Sequence, residues 1–367
     1  MRFTIATALA GALIAGAAHA APAPAAIVAA PSPPSLHALP ASVSGRVSPD
    51  GAGYRYQWPG IYFEAAFEGR ELYFKVEPGE VILHVLVDAA RLEDMVKPAP
   101  GWYRIGGLAP GAHTVRLESV SENQSGPRLF GGFALPDGAQ PLPMARRARQ
   151  IEFIGDSHTV GYGNISPTRD CNQDQVWAQT DNSQGYGALT ARRHNADYRI
   201  HAISGRGVVR NFDGGAGDTL PAAYPYVLFD HAQRDTAAAW QPKWIVISLG
   251  TNDFSTALHP GEKWASREAL HADYEAAYVE FVLGLRARNP QARFILWATD
   301  GANGEIQAEL KTVVARLKAA GESRVAFIPV NGLAFTGCHW HPSVADDKTI
   351  ADALAGVIDA ADPGTNP

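Results

Sequence analysis

Beyond about residue 150 the chain keeps to one repeating pattern. Short, almost uninterrupted apolar runs occur at 151–154, 198–203, 243–249, 293–298 and 324–330, and amphipathic stretches near 183–194, 266–288, 304–319 and 344–359 lie between or after them. Apolar runs without polar alternation suit strands buried on both faces, and amphipathic helices supply the cover. The pattern predicts an α/β fold with a parallel sheet in three layers. Such sheets take their ligands at the carboxyl ends of the strands, so the residues following each run are where chemistry is expected.

The preceding hundred residues follow a different rule. From 41 to 140, runs of β-branched and aromatic residues at 61–67, 71–76, 81–87, 101–105, 113–118 and 129–135 are separated by Gly, Pro or Asp, with no helical period between them. That predicts an antiparallel β-sandwich of jelly-roll type. With 367 residues the chain is long for one core, so two domains are expected, joined by a linker at 136–149. Residues 21–40, rich in Ala and Pro, read as an extended tether. Met1-Arg2-Phe3, an apolar run to Ala18 and then Ala18-His19-Ala20 have the three regions of a secretory signal peptide over 1–20, with cleavage expected after Ala20. No later apolar run reaches the length of a membrane span. The mature chain is therefore expected outside the cytoplasm, secreted or periplasmic.

A hydrophobic fraction of 46% and a charged fraction of 19% allow a sizeable core. The formal net charge of −6 and the absence of a Lys/Arg-rich run argue against a nucleic-acid partner. Arg146-Arg147-Ala148-Arg149, the nearest approach to one, reads as solvated linker. The two cysteines, Cys171 and Cys338, are an even count in a chain bound for an oxidising compartment, which predicts a disulfide; a free buried pair is the alternative. They are too few for a cysteine zinc site, and the histidines show no His-Glu-x-x-His spacing, so no metal is expected.

The first apolar run ends in Gly155-Asp156-Ser157, which is either ordinary turn chemistry or a nucleophilic serine on a sharp turn. The second ends in Ser204-Gly205-Arg206-Gly207, whose glycines let a backbone N–H approach a ligand. The third ends in Gly250-Thr251-Asn252-Asp253, where the Asn252 amide has two donors. His341 follows the fifth run, just before Pro342. Each has a bland reading as turn, cap or surface residue. Together they form a reaction plan: Ser157 as nucleophile, His341 as general base, and the N–H groups of Ser157 and Gly205 with the Asn252 side chain as oxyanion hole.

In this order the four blocks resemble those of the SGNH, or GDSL-like, hydrolases over about 148–360. The wording at 155–164, 204–211 and 338–343 resembles carbohydrate esterase family two. The resemblance implies a flavodoxin-like SGNH domain over 148–362 behind a jelly roll, and a serine esterase that removes acetyl groups from xylan- or mannan-type polysaccharide without a cofactor. The expected partner is an acetylated polysaccharide or oligosaccharide, and the chain is expected to act as a monomer. The pattern departs at one point. Where the family carries an Asp two or three residues before the histidine, this chain has His339 and Cys338. A Ser157–His341 dyad follows as the expectation, its histidine oriented by a main-chain carbonyl near 339–340, with a Cys171–Cys338 bond pinning the histidine loop. Trp340 and Trp177 read as sugar-stacking surface or loop packing, His158 as site-lining, and Asp156 and Asp253 as turn acceptors. A lipid esterase or thioesterase, and a carbohydrate-binding protein with a decayed site, are the alternatives.

Overall fold

The computed structural model describes residues 24–236 and 238–362. The segment read as a signal peptide lies outside them. The five apolar runs form one parallel sheet in the spatial order Ala196–Ala202, Arg149–Gly155, Trp244–Ser248, Arg293–Thr299 and Val325–Val330. The first strand in sequence thus lies second in space, so the chain reverses direction across the sheet beside Gly155. Doubly wound sheets bind ligands at the strand ends beside such a reversal.

Alternation along each strand divides its side chains between two cores. Ile151 and Phe153 face Tyr186, Ala191, Ile350 and Leu354 from helices Tyr186–Arg193 and Val344–Ala361. Ile154, Ile245, Ile247 and Leu296 face Leu270, Tyr274, Tyr278 and Val313 from helices Arg267–Arg288 and Glu305–Ala319. Both faces are buried, which is why these strands lack polar alternation.

The N-terminal region is two antiparallel sheets packed around Phe63, Phe67, Phe74, Val85, Ile105, Val115 and Phe130. Two expectations are corrected here. Within 21–40, strands Ala26–Ala29 and Leu36–Leu39 pair with Gly101–Gly106 and Arg128–Pro136, so this stretch closes sheet edges and does not act as a tether. Its Ala and Pro content concealed short edge strands, where Pro is tolerated. Within 136–149, Gln140–Leu142 adds a strand to Tyr62–Gly69. Arg147 is not solvated linker either: its guanidinium joins Glu64 of the sandwich (3.0 Å) to Asp197 of the parallel sheet (2.7 Å). The charged strand Ala90–Val96, an outer strand of its sheet, escaped notice because it is mostly exposed and shows no apolar run.

The two domains are bonded at several further points. Ser44 Oγ donates to Tyr198 O (2.5 Å), Tyr62 Oη to Asp197 (2.9 Å) and Trp58 Nε1 to Tyr226 O (3.1 Å). Among the described residues no helix is long and apolar enough to cross a membrane.

Candidate active site

Gly155 ends the strand Arg149–Gly155 because nothing larger fits: a Cβ there would lie 1.9 Å from Thr159 Oγ1 and 2.8 Å from Ser248 O. The chain turns at once into the short helix Ser157–Val160, capped by Asp156, whose carboxylate accepts from His158 N–H (3.0 Å). Ser157 is the first helical residue, where a backbone N–H has no intrahelical acceptor. Its hydroxyl lies 2.9 Å from His341 Nε2.

His341 reaches the serine from the loop before the last helix. Its Nδ1 faces two carbonyl oxygens, Cys338 O at 2.9 Å and His339 O at 3.2 Å. A carbonyl only accepts, so Nδ1 carries the proton and Nε2 presents its lone pair to the serine hydroxyl. Among the described residues no carboxylate bonds to His341. The orienting carbonyls belong to residues 338 and 339, one position earlier than expected, because the chain makes a tight turn over Cys338–Trp340 that folds those oxygens back under the ring. Burial lowers the imidazole pKa to about 4, although both carbonyls act the other way. The ring is therefore neutral at neutral pH, as a general base must be.

The loop is fastened to the segment that follows Ser157. Cys338 is disulfide-bonded to Cys171. His339 points away from His341: its Nε2 donates to Cys171 O (2.6 Å), which leaves Nδ1 to accept from Tyr162 Oη (3.0 Å). The Tyr162 ring lies against His341 with centroids 4.2 Å apart. Asp346 accepts from Ala334 N–H (2.7 Å), Phe335 N–H (3.0 Å) and Ser343 N–H (2.9 Å). The sequence Ser343-x-x-Asp346 ahead of an apolar helix signals its capping role; nothing local signals its grip on residues 334–335.

The second and third strand ends are joined by Asp253, which accepts from the N–H groups of Val208 (3.0 Å), Val209 (2.9 Å) and Arg210 (2.9 Å). Burial raises its pKa to about 6, and raises that of Asp156, with Asp253 adding to the effect, to about 7. Both are turn acceptors. Asn252 differs from expectation in one respect: its amide donors are already engaged, with Arg206 O at 2.9 Å and Asp156 Oδ2 at 3.3 Å. A short polar side chain with two donors bonds its nearest acceptors, and the turns after the strands Ala196–Ala202 and Arg149–Gly155 supply one each.

His158 is buried, edge-on to His341 at 5.6 Å, with burial first and His341 second lowering its pKa to about 3. Trp340 is 67% exposed, and the Arg169 guanidinium lies 3.9 Å from its ring. Arg169 is held by Phe335 O (2.7 Å) and Ala334 O (2.8 Å); the sequence carried no sign of this support. The Trp177 ring takes the ammonium of Lys97, a residue of the sandwich, at 4.9 Å. No group of three or more His, Cys, Asp or Glu suited to a metal occurs among the described residues.

A serine on a strand-to-helix turn, bonded to a histidine at the switch point of a parallel sheet, defines a hydrolase of the serine-esterase kind. Comparison with known proteins narrows the class. Residues 43–144 match the family model for the carbohydrate esterase 2 N-terminal domain, and residues 153–356 match that of the GDSL-like lipase/acylhydrolase family. An acetylxylan esterase/glucomannan deacetylase of Cellvibrio japonicus is 47% identical over 302 residues, which are 82% of this chain and 84% of that protein. A solved carbohydrate esterase whose active site displays divergent catalytic and non-catalytic binding functions superposes with a TM-score of 0.84 at 43% identity, covering 90% of this chain and 99% of that one. A family two carbohydrate esterase from Clostridium thermocellum in complex with cellohexaose gives 0.76 at 27% identity, over 89% and 99%. The chain belongs to the GDSL-like acylhydrolases, as a family two carbohydrate esterase, and is a carboxylic ester hydrolase.

Proposed function

We propose that this esterase is exported and removes O-acetyl groups from a xylan- or mannan-type polysaccharide through an acyl-enzyme, with a Ser157–His341 dyad. The observation that carries the reading is the 2.9 Å bond from Ser157 Oγ to His341 Nε2 with Nδ1 held by Cys338 O. As Oγ attacks the acetyl carbonyl, Nε2 takes its proton, and the resulting imidazolium keeps its Nδ1–H on the Cys338 oxygen. The developing oxyanion is met by the N–H groups of Ser157 and Gly205, and by Asn252 Nδ2 once its long bond to Asp156 yields. The imidazolium then protonates the departing sugar oxygen. Water, activated by the same ring, releases acetate in the second half-reaction.

Trp340 offers a sugar ring its open face beside His341, with Arg169 holding the other. The His158 ring, which lies 5.6 Å from that of His341 and 5.9 Å from that of Phe335, suits a short acyl group there. The activity in the name of the Cellvibrio relative supports the acetylated-glycan substrate. The deciding experiment measures acetate released from acetylated xylan, glucomannan and chitin-derived oligomers, with acetyl and octanoyl model esters alongside. Release from xylan or glucomannan with acetyl preferred is expected. A preference for octanoyl, or glycan binding without release, would overturn the reading.

A further inference from the structure

The turn that carries Gly205 is held from the other domain. Arg206 N–H donates to Ile203 O (3.2 Å), and Gly205, third of these four residues, has φ of +82°. That is the value a type II turn requires at this position. A Cβ on Gly205 would meet nothing within 4 Å, so backbone conformation and not crowding calls for glycine. Type I and type II turns differ by a half-rotation of the central peptide, here Ser204–Gly205. In a trans peptide the C=O and N–H point opposite ways. The rotation therefore decides whether the site is faced by a donor, Gly205 N–H, or by the Ser204 carbonyl, which repels an oxyanion.

One loop of the sandwich, following strand Gly111–Ser119, takes hold of both sides of Ser204. Gln124 Nε2 donates to Ser204 O (3.1 Å), and Glu122 Oε1 accepts from Ser204 N–H (2.8 Å). The same Glu122 oxygen accepts from Gln124 Nε2 (3.1 Å), closing a three-residue bracket. The Gly205 N–H has no acceptor among the described residues. We infer that Gln124 and Glu122 are positioning residues of the oxyanion hole, through which the jelly-roll domain fixes the Ser204–Gly205 peptide with its N–H on the Ser157 side. The inference rests on the Ser157-centred reaction proposed above. The bond to Ser204 O also polarises the peptide that carries the Gly205 N–H, so Gln124 strengthens the donor while aiming it.

The test uses the whole chain with Gln124→Ala, Glu122→Ala and Glu122→Gln, measuring kcat and KM on an aryl acetate, Ki for a small alkyl boronic acid, and thermal unfolding. Gln124 is exposed, so its truncation leaves the core intact. An oxyanion contact acts in the transition state and not on bound ester, so both alanine variants should lose about tenfold in kcat with KM changed by less than about twofold. The boronate Ki should rise in parallel, since its serine adduct places an oxygen in the hole. Glu122→Gln keeps an acceptor and should stay within about twofold of the parent enzyme. Unchanged kcat and Ki in both alanine variants would overturn the inference. So would a rate loss that tracks unfolded protein while Ki stays constant. Failure of the underlying reaction would show separately, as acetate release surviving in Ser157→Ala.

Discussion

At the scale of single residues, Ser157 and His341 meet through one 2.9 Å bond, and the imidazole is oriented by main-chain carbonyls, with no charged partner among the described residues. Replacing Ser157 by Ala should lower acetate release by at least about 10³-fold, with circular dichroism unchanged; retained turnover would remove the serine from the mechanism. In the proposed mechanism the neutral imidazole is the active form, and burial places its pKa at about 4. Activity is accordingly present above that value and is lost as pH falls through it. A kcat/KM profile over pH 3–8 should show its acid limb near pH 4, and a limb near the ordinary histidine value would mean that His341 is more hydrated than its packing indicates. These residue types announced themselves because each block carries its own turn chemistry. The orienting acceptor did not, since a main-chain oxygen is carried by every residue and only the path of the turn over Cys338–Trp340 selects one.

At the scale of elements, the histidine loop holds three non-glycine residues at positive φ: Phe335 (49°), His339 (52°) and Trp340 (63°). Such conformations persist where surrounding bonds enforce them. Here the enforcing element is the segment 169–171, through the disulfide, the His339 ring bond to Cys171 O and the Arg169 bonds to residues 334 and 335. Removing the disulfide in a Cys171→Ser/Cys338→Ser variant should therefore lower kcat by roughly tenfold through misplacement of the imidazole, with little change in KM. Steady-state kinetics on an aryl acetate checks this, and undiminished kcat would show that the hydrogen bonds suffice. The cysteine pair was legible as an even count in a chain whose start reads as a signal peptide. The family resemblance also implied that it pins the histidine loop, as the structure has it; the bonds of Arg169 and the His339 ring beside it were not legible, because residues 169–171 and 334–339 become neighbours only when the last loop folds over the first.

On the scale of the molecule, the N-terminal segment and the jelly roll are parts of one working body. Leu39 is 4% exposed in the sandwich core, and the strands around it close sheet edges. A chain beginning at Ala41 loses that buried leucine, worth about 2 kcal/mol, together with two strand pairings. Its unfolding midpoint should fall by about 5 °C or more, measured by calorimetry, with aggregation from the uncovered edges; an unchanged midpoint would restore the tether reading. Local pattern was enough to determine the parallel sheet, its helices, the sandwich ahead of it and the four blocks at the strand ends, because burial on two faces, alternation and turn chemistry are each written over a few adjacent residues. Tertiary structure alone decided that residues 26–29 and 36–39 are strands, that Cys338 O orients His341, that the Asn252 amide rests on Arg206 and Asp156, and that Gln124 reaches Ser204 from the other domain. Each of these depends on which main-chain groups are brought within about 3 Å of one another, and a hydrogen bond between residues 80 apart in the chain leaves no periodic trace in either partner's neighbours.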